Sequence, residues 1–210
     1  CNDNTKEICQ EAITRKEYNL PEKGFVFTSF CANKKITPKE FDIWMRLLTK
    51  IKGSVLWLSK SNQYSMENLI KEAEKRNIDP NRLVFANKLP LLKKHLARYS
   101  LGDLGLDTFN FNGHTTTSDA LWSGLPVLTK VGESFAARVS ASILTSIGLP
   151  ELITNSEKEY EEKALDIAIN PEKLKNLKSK LAKFKKTSTL YNSELFTRDL
   201  ENRFMELNSK

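Results

Sequence analysis

The feature that most constrains this chain is an alternation. Short apolar runs rich in β-formers are separated by stretches whose apolar residues recur every three or four positions. The runs are FVFTSF (25–30), SVLWLS (54–59), LVFAN (83–87), LGLDTF (104–109) and PVLTK (126–130). After the first comes Thr37-Pro38-Lys39-Glu40, a capping box with proline at the first helical position. The helix it opens carries Phe41, Trp44, Leu47, Leu48 and Ile51 and ends at Gly53. A second helix places Met66, Leu69, Ile70 and Ala73 on one face. LLKKHLARYS (91–100) is a third, NGHTTTSDALWSG (112–124) opens a fourth, and FAARVSASILTSIG (135–148) reads as a fifth. Near-continuous apolar strands alternating with helices predict a parallel sheet with helices on both faces. The expected fold is therefore α/β and Rossmann-like, with about five strands.

The chain divides on the same evidence. Residues 1–20 are polar and weakly patterned, a tail or the entry from a missing preceding lobe. Residues 21–155 hold the alternation. Residues 156–210 are helical throughout and are expected to pack on the same lobe. The chain does not begin with Met, which reads as a piece of a longer protein.

Charge enters because it is uneven. Net charge is +7, and Lys173–Lys186 alone contains seven lysines and no acid. Leu174, Leu177, Leu181 and Phe184 form one stripe there, which makes an amphipathic helix with a basic outer face. A solvated helix face and a surface for acidic lipid or nucleic acid are both consistent with this pattern. Base stacking would need aromatics among the lysines, and only Phe184, on the apolar stripe, is present; nucleic acid is not the expected partner. No apolar run approaches the roughly 20 residues of a membrane span. Cys1, Cys9 and Cys31 lack metal-ligand spacing and read as reduced thiols of a cytoplasmic protein.

In a doubly wound sheet, ligands lie at the carboxyl ends of the strands. Three groups are site candidates, the first and third of them at such strand ends. Gly113-His114-Thr115-Thr116 starts a helix, where unpaired N–H groups and the helix dipole favour a phosphate. Asp119 lies one turn further on the face of Thr115, suited to ribose hydroxyls. The same threonines would also serve as an ordinary N-cap. His95 and Arg98 are three apart on one helix face, able to stack on and hydrogen-bond a base, or to form a plain solvated pair. Lys34-Lys35 follow the first strand, where a lysine can neutralise a diphosphate, or be a loop lysine. There is no G-x-G-x-x-G, no Walker A run, no Asp-x-Asp pair and no Cys/His cluster, so neither a nicotinamide cofactor nor a bound metal is indicated.

The block from HLAR through LGDLGLDTFNFNGHTTTSDALWSGLPVLTKVGESFAARVSASIL resembles the C-terminal catalytic lobe of protein O-linked N-acetylglucosamine transferases and SPINDLY proteins, the family 41 glycosyltransferases. The resemblance runs from about Thr14 to the C-terminus. It implies the second lobe of a GT-B fold, binding a nucleotide-diphosphate sugar, UDP-N-acetylglucosamine or, as in some SPINDLY relatives, GDP-fucose. It implies inverting, metal-independent transfer to Ser/Thr hydroxyls of an acceptor protein, with a first lobe and tetratricopeptide repeats as partners elsewhere in the full-length chain. Lys35 matches the lysine on the donor diphosphate that turnover requires. His95 and Arg98 match the base contacts, His114, Thr115 and Thr116 the diphosphate-binding helix start, and Asp119 the ribose carboxylate. The chain departs from the pattern at Cys31 for an Asn, Ala32 for an Asn or Gln, Lys34 for a Tyr, and Leu92 for a Lys. These departures motivate an alternative, a nucleotide-sugar-binding regulatory module without catalysis.

Overall fold

The computed structural model of the chain describes residues 2–208; Cys1 lies outside them. Six strands form one sheet: β1 (Val26–Ser29), β2 (Val55–Ser59), β3 (Leu83–Ala86), β4 (Leu104–Leu106), β5 (Val127–Lys130) and β6 (Ile153–Thr154). Their order is β3-β2-β1-β4-β5-β6 and every pairing is parallel. Helices α1 (Pro38–Lys50), α2 (Gln63–Glu74), α3 (Leu92–Arg98), α4 (Thr115–Trp122) and α5 (Val139–Ser146) lie between the strands; α6 (Glu157–Ile169), α7 (Pro171–Thr187) and α8 (Ser193–Asn208) follow. The alternation and all five anticipated strands are present. The sixth strand went unread because two residues carry no periodicity.

The local causes are visible. Glu40 reaches back to the Thr37 N–H at 2.9 Å and also receives the Thr37 hydroxyl, fixing the start of α1. Gly53, at φ +74°, turns the chain out of that helix into β2. Phe41, Trp44, Leu47 and Leu48 are buried as the spacing predicted, against the fully buried Leu56, Trp57 and Leu58 of β2. β1 and β4 are buried along their whole length, as strands covered on both faces must be.

Two elements are shorter than expected. The strand over 104–109 stops at Leu106, because Asp107 turns its carboxylate back on the following loop and its carbonyl accepts the Tyr160 hydroxyl at 3.2 Å. The helix over 135–148 breaks at Arg138 into a 3-10 turn and α5. The carbonyls of Ala136 and Ala137 receive the Asn112 and Gly132 amides, both at 2.8 Å, which draws them out of a helical ladder.

The basic stripe is α7. Leu181 is fully buried, and Leu174, Leu177 and Phe184 pack on the core. Several of its lysines bind this same chain: Lys173 to Asp166 at 2.6 Å, Lys180 to Glu151 at 2.5 Å, Lys178 to the Gly102 carbonyl at 3.1 Å and Lys185 to the Trp122 carbonyl at 2.7 Å. Among the described residues, no helix is long and apolar enough to cross a membrane.

Candidate functional site

Strand order reverses between β1 and β4, since β1 pairs β2 on one side and β4 on the other. The crevice at the carboxyl ends of these two strands is where a doubly wound sheet takes a ligand. Three of the residue groups singled out in the sequence converge on its walls.

From β1, the chain passes Cys31 and Ala32 into a 3-10 turn, Asn33–Lys35. From β4, it runs through the loop 107–114 into α4. The two meet: Lys35 Nζ donates to the Asn112 carbonyl at 3.0 Å and lies 3.9 Å from the centre of the Phe111 ring. Phe111 in turn stacks on His114, with ring centres 4.9 Å apart and planes 22° from parallel. Lys35, Phe111 and His114 therefore form one continuous wall, with an ammonium at one end and an imidazole at the other.

His114 is the residue before the first turn of α4. Its Nε2 is buried and has no hydrogen-bond partner among the described residues. Thr115 is exposed at the helix mouth. Thr116 turns partly inward, its hydroxyl 3.6 Å from the buried Cys31 thiol. Gly113 is needed for close approach: a Cβ there would sit 2.5 Å from the Thr117 hydroxyl and 2.7 Å from that of Thr116. An amide-rich helix start, a cation and an unpartnered imidazole nitrogen together suit an anion such as a diphosphate.

His95 and Arg98 meet, but not as two side chains held out to solvent. Arg98 is buried; it donates to the Asn87 carbonyl at 2.6 Å and to His95 Nδ1 at 2.6 Å, with its guanidinium 4.5 Å above Phe30. Because His95 Nδ1 accepts from a guanidinium that has no acceptor of its own, Nδ1 is unprotonated and Nε2–H is the ring's donor. Burial, then the Arg98 charge, push the His95 pKa down to about 4. His95 is thus a neutral, half-buried ring braced by Arg98 from within.

Asp119 is buried, and one of its oxygens is already taken. Lys6 Nζ lies 2.6 Å from Asp119 Oδ1. The N-terminal segment brings Lys6 there by crossing α4 and α3: the Trp122 indole donates to the Lys6 carbonyl at 3.0 Å, the Cys9 amide to the Lys93 carbonyl at 3.1 Å, and Lys94 pairs with Glu11 at 3.1 Å. Nothing in the sequence around Lys6 signals a pairing with a residue 113 positions later.

Asp107 also escaped notice, although an acid in the apolar run LGLDTF was a signal. It is 1% exposed. Its Oδ1 accepts the Gly113 amide at 2.6 Å and the Thr108 amide at 2.9 Å, and its Oδ2 the Thr129 hydroxyl at 2.7 Å. Burial pushes its pKa up to about 6 against the pull of those donors. The Cys31 thiol, 3.9 Å away, is pushed up to about 11 by burial and by Asp107. Among the described residues, no group of three or more His, Cys, Asp or Glu is placed to hold a metal ion.

The chain is similar to known proteins along most of its length. The chain is 35% identical over 188 residues to a UDP-N-acetylglucosamine–peptide N-acetylglucosaminyltransferase of Caenorhabditis elegans, a match over 90% of this chain and 16% of that protein. It is 34% identical over 183 residues to the probable transferase SPINDLY of Solanum lycopersicum, covering 85% of this chain and 20% of that one. The chain thus spans a fifth or less of the length of these relatives. An O-GlcNAc transferase mutant of Thermobaculum terrenum superimposes with a TM-score of 0.81 at 29% identity, over 86% of this chain and 35% of that one. WaaG, a glycosyltransferase involved in lipopolysaccharide biosynthesis, shares the fold alone, with a TM-score of 0.65 at 16% identity over 89% of this chain and 49% of that one. The Rossmann-like sheet is thus that of a GT-B glycosyltransferase lobe. The profile of Glycosyl transferase family 41 matches residues 3–200, and the chain belongs to that family.

Proposed function

We propose that the crevice between β1 and β4 binds a nucleotide-diphosphate sugar, UDP-N-acetylglucosamine by analogy with the named relatives, and that the full-length protein transfers the sugar to Ser or Thr hydroxyls of an acceptor protein. The observation that carries this reading is the convergence of Lys35, His114 and the mouth of α4 on one wall of the crevice. In sugar transfer, the bond between the anomeric carbon and the diphosphate oxygen breaks, and negative charge grows on the leaving diphosphate. Stabilising that charge is the task these groups suit. Lys35 supplies a cation, the first amides of α4 supply oriented dipoles, and His114 Nε2 can donate a hydrogen bond. Thr115 adds a hydroxyl at the mouth, and Thr116 lines it.

The base and ribose would lie toward α3. His95 offers a neutral ring face for stacking and its Nε2–H as a donor, held by Arg98. Asp119 offers its second oxygen to a ribose hydroxyl, beside the Lys6 pair. Attack from the face opposite the diphosphate inverts the anomeric carbon, and no metal is called on. The acceptor would approach from a first lobe and tetratricopeptide repeats elsewhere in the full-length chain, in the cytoplasm. The alternative, a binding module without catalysis, draws on Ala32, which stands exposed beside Lys35 with no polar group to offer.

Calorimetric titration of the chain with UDP, GDP and their sugars tests the proposal. Binding of UDP-N-acetylglucosamine that is lost in Asp119→Ala supports it; no binding of any of these overturns the donor reading. Transfer by the full-length protein separates the enzyme from the binding module.

A further inference from the structure

The loop between β4 and α4 carries the groups proposed to meet the diphosphate, yet little of what holds it lies in the loop. Both backbone groups of Gly113 are held from inside. Its amide donates to Asp107 Oδ1 at 2.6 Å, and its carbonyl accepts the Ser140 hydroxyl at 2.7 Å. Ser140 is tied to the Thr117 hydroxyl at 2.8 Å, which links the loop to the first turn of α4. The Asn112 side chain donates to the Thr108 carbonyl at 2.7 Å, and the Thr108 hydroxyl to the Phe111 carbonyl at 2.7 Å. With Gly113 pinned inward, the preceding peptide presents the Asn112 carbonyl to Lys35 Nζ, and the following residue, His114, begins the helix mouth. The centre of this arrangement is one buried carboxylate, which also lies 3.9 Å from the Cys31 thiol that follows β1.

We propose that Asp107 is a positioning residue of the nucleotide-sugar site: by holding the Gly113 amide inward, its carboxylate sets Lys35 on one side of the loop and the His114–Thr116 helix mouth on the other. This rests on the donor reading given above for what the site binds, but not for what the carboxylate holds. A buried carboxylate binds an amide more strongly when charged than when protonated. The arrangement therefore weakens when Asp107 takes up a proton, near pH 6. Among the described residues no cation bonds to it, although Lys35 acts to lower the pKa of the adjoining Cys31 thiol. From the β1 turn comes the Cys31 thiol, and from α6 the Tyr160 hydroxyl, which donates to the Asp107 carbonyl. From β5 and α5 come the hydroxyls of Thr129 and Ser140, and from the loop the Gly113 and Thr108 amides. Its protonation is governed by burial and by neutral hydrogen bonds.

The experiment follows amides and affinity together in the 210-residue chain, wild type, Asp107→Asn and Thr129→Val. The Gly113 amide resonance is expected to titrate with a midpoint near 6 in the wild type and to lose that titration in Asp107→Asn. Thr129→Val removes one donor to the charged form and leaves the amide contacts in place, so its midpoint moves up. Affinity for UDP-N-acetylglucosamine, whose two phosphates are both esterified, is expected to fall about tenfold in Asp107→Asn, the scale of one lost charge-assisted hydrogen bond. Affinity is expected to fall from neutral to acid pH in the wild type and to change less in that variant; subtraction removes every titration the proteins share. A Gly113 amide that does not titrate in wild type, or a midpoint unmoved by Thr129→Val, overturns the proposal even if Asp107→Asn fails to fold. Unchanged affinity and pH profile in a folded Asp107→Asn overturn it as well. A titrating amide in a chain that binds no nucleotide sugar upholds the positioning of the loop and sinks only the donor reading.

Discussion

Lys6 Nζ stands 2.6 Å from Asp119 Oδ1, with about a tenth of each side chain exposed. An ion pair this far from water gains little over two apolar residues, but breaking it from one side strands a charge. Lys6→Met is therefore expected to destabilise the chain by about 3 kcal/mol. Adding Asp119→Asn should restore part of that loss, although each change alone is harmful. Urea denaturation of the two single variants and the double variant measures the coupling; additive losses would show that the pair is not a unit.

Asp119→Ala carries a functional expectation as well. One oxygen belongs to Lys6, and the other takes no hydrogen bond from the described residues. If that oxygen serves ribose, Asp119→Ala weakens nucleoside-diphosphate binding, whereas Lys6→Met leaves the oxygen in place and weakens it less. Titration calorimetry with UDP reads both. Equal losses in the two variants would mean that the residues matter to the nucleotide only through the fold.

Lys35→Ala tests where the ammonium acts. Charge on the leaving diphosphate is greatest at the transition state, so a group aimed at it affects turnover more than ground-state affinity. Loss of one such contact is expected to lower kcat of the full-length protein by about a hundredfold or more. UDP-sugar affinity should change far less. Because Lys35 also lies over Phe111 and on the Asn112 carbonyl, a matching loss in both quantities would identify it instead as a support for the loop.

Gly113→Ala asks how tightly the helix mouth is built. The new methyl would press on the Thr117 and Thr116 hydroxyls and come within 3.2 Å of the Thr117 amide. Overpacking of this kind costs about 1–3 kcal/mol. Both stability and nucleotide affinity should fall, by thermal melting and calorimetry respectively. A variant that binds normally would mean that the mouth can shift without losing its ligand.

How much of this could be read from residues alone depended on range. Elements set by local rules were legible: the Thr37–Glu40 cap, the buried face of α1, and a helix opening within 112–116, although its cap residue is His114 and not one of the threonines. Lys35 and His114 were legible as site candidates because strand ends and helix starts have ligand-facing positions by construction. The Asp119–Lys6 pair was not, because it joins segments that only the folded sheet brings together. The burial of Arg98 was not legible for a related reason. Its spacing from His95 shows a shared face, but only the packing of Phe30 and the Asn87 carbonyl turns the guanidinium inward. Asp107 ended a strand that periodicity would have continued, since one buried carboxylate outweighs the β-propensity of the two residues after it.

Two buried groups beside the site pull the pH dependence of stability in opposite directions. Asp107 has its pKa raised to about 6 by burial, above the ordinary carboxyl value. Between those values the folded chain holds a proton that the unfolded chain has released, so this stabilisation is complete in acid and is lost as pH rises through about 6. The loss amounts to about 3 kcal/mol at neutral pH, at 1.36 kcal/mol for each pH unit between the two values. His95 has its pKa lowered to about 4, first by burial and then by Arg98. The unfolded chain takes up the proton first, so the stability contributed by neutral His95 is present above about 6.5 and is lost as pH falls toward 4. In wild type the two slopes oppose one another over the same range. Asp107→Asn removes one of them, and its stability relative to wild type is expected to rise from about pH 4 to about pH 6 and then level off. His95→Gln removes the other, and its stability relative to wild type should fall over that range. Denaturant titrations of the three proteins at matched ionic strength give the two difference curves. Curves of the same sign, or a flat curve for Asp107→Asn, would mean that the carboxyl is not held in the folded chain as described.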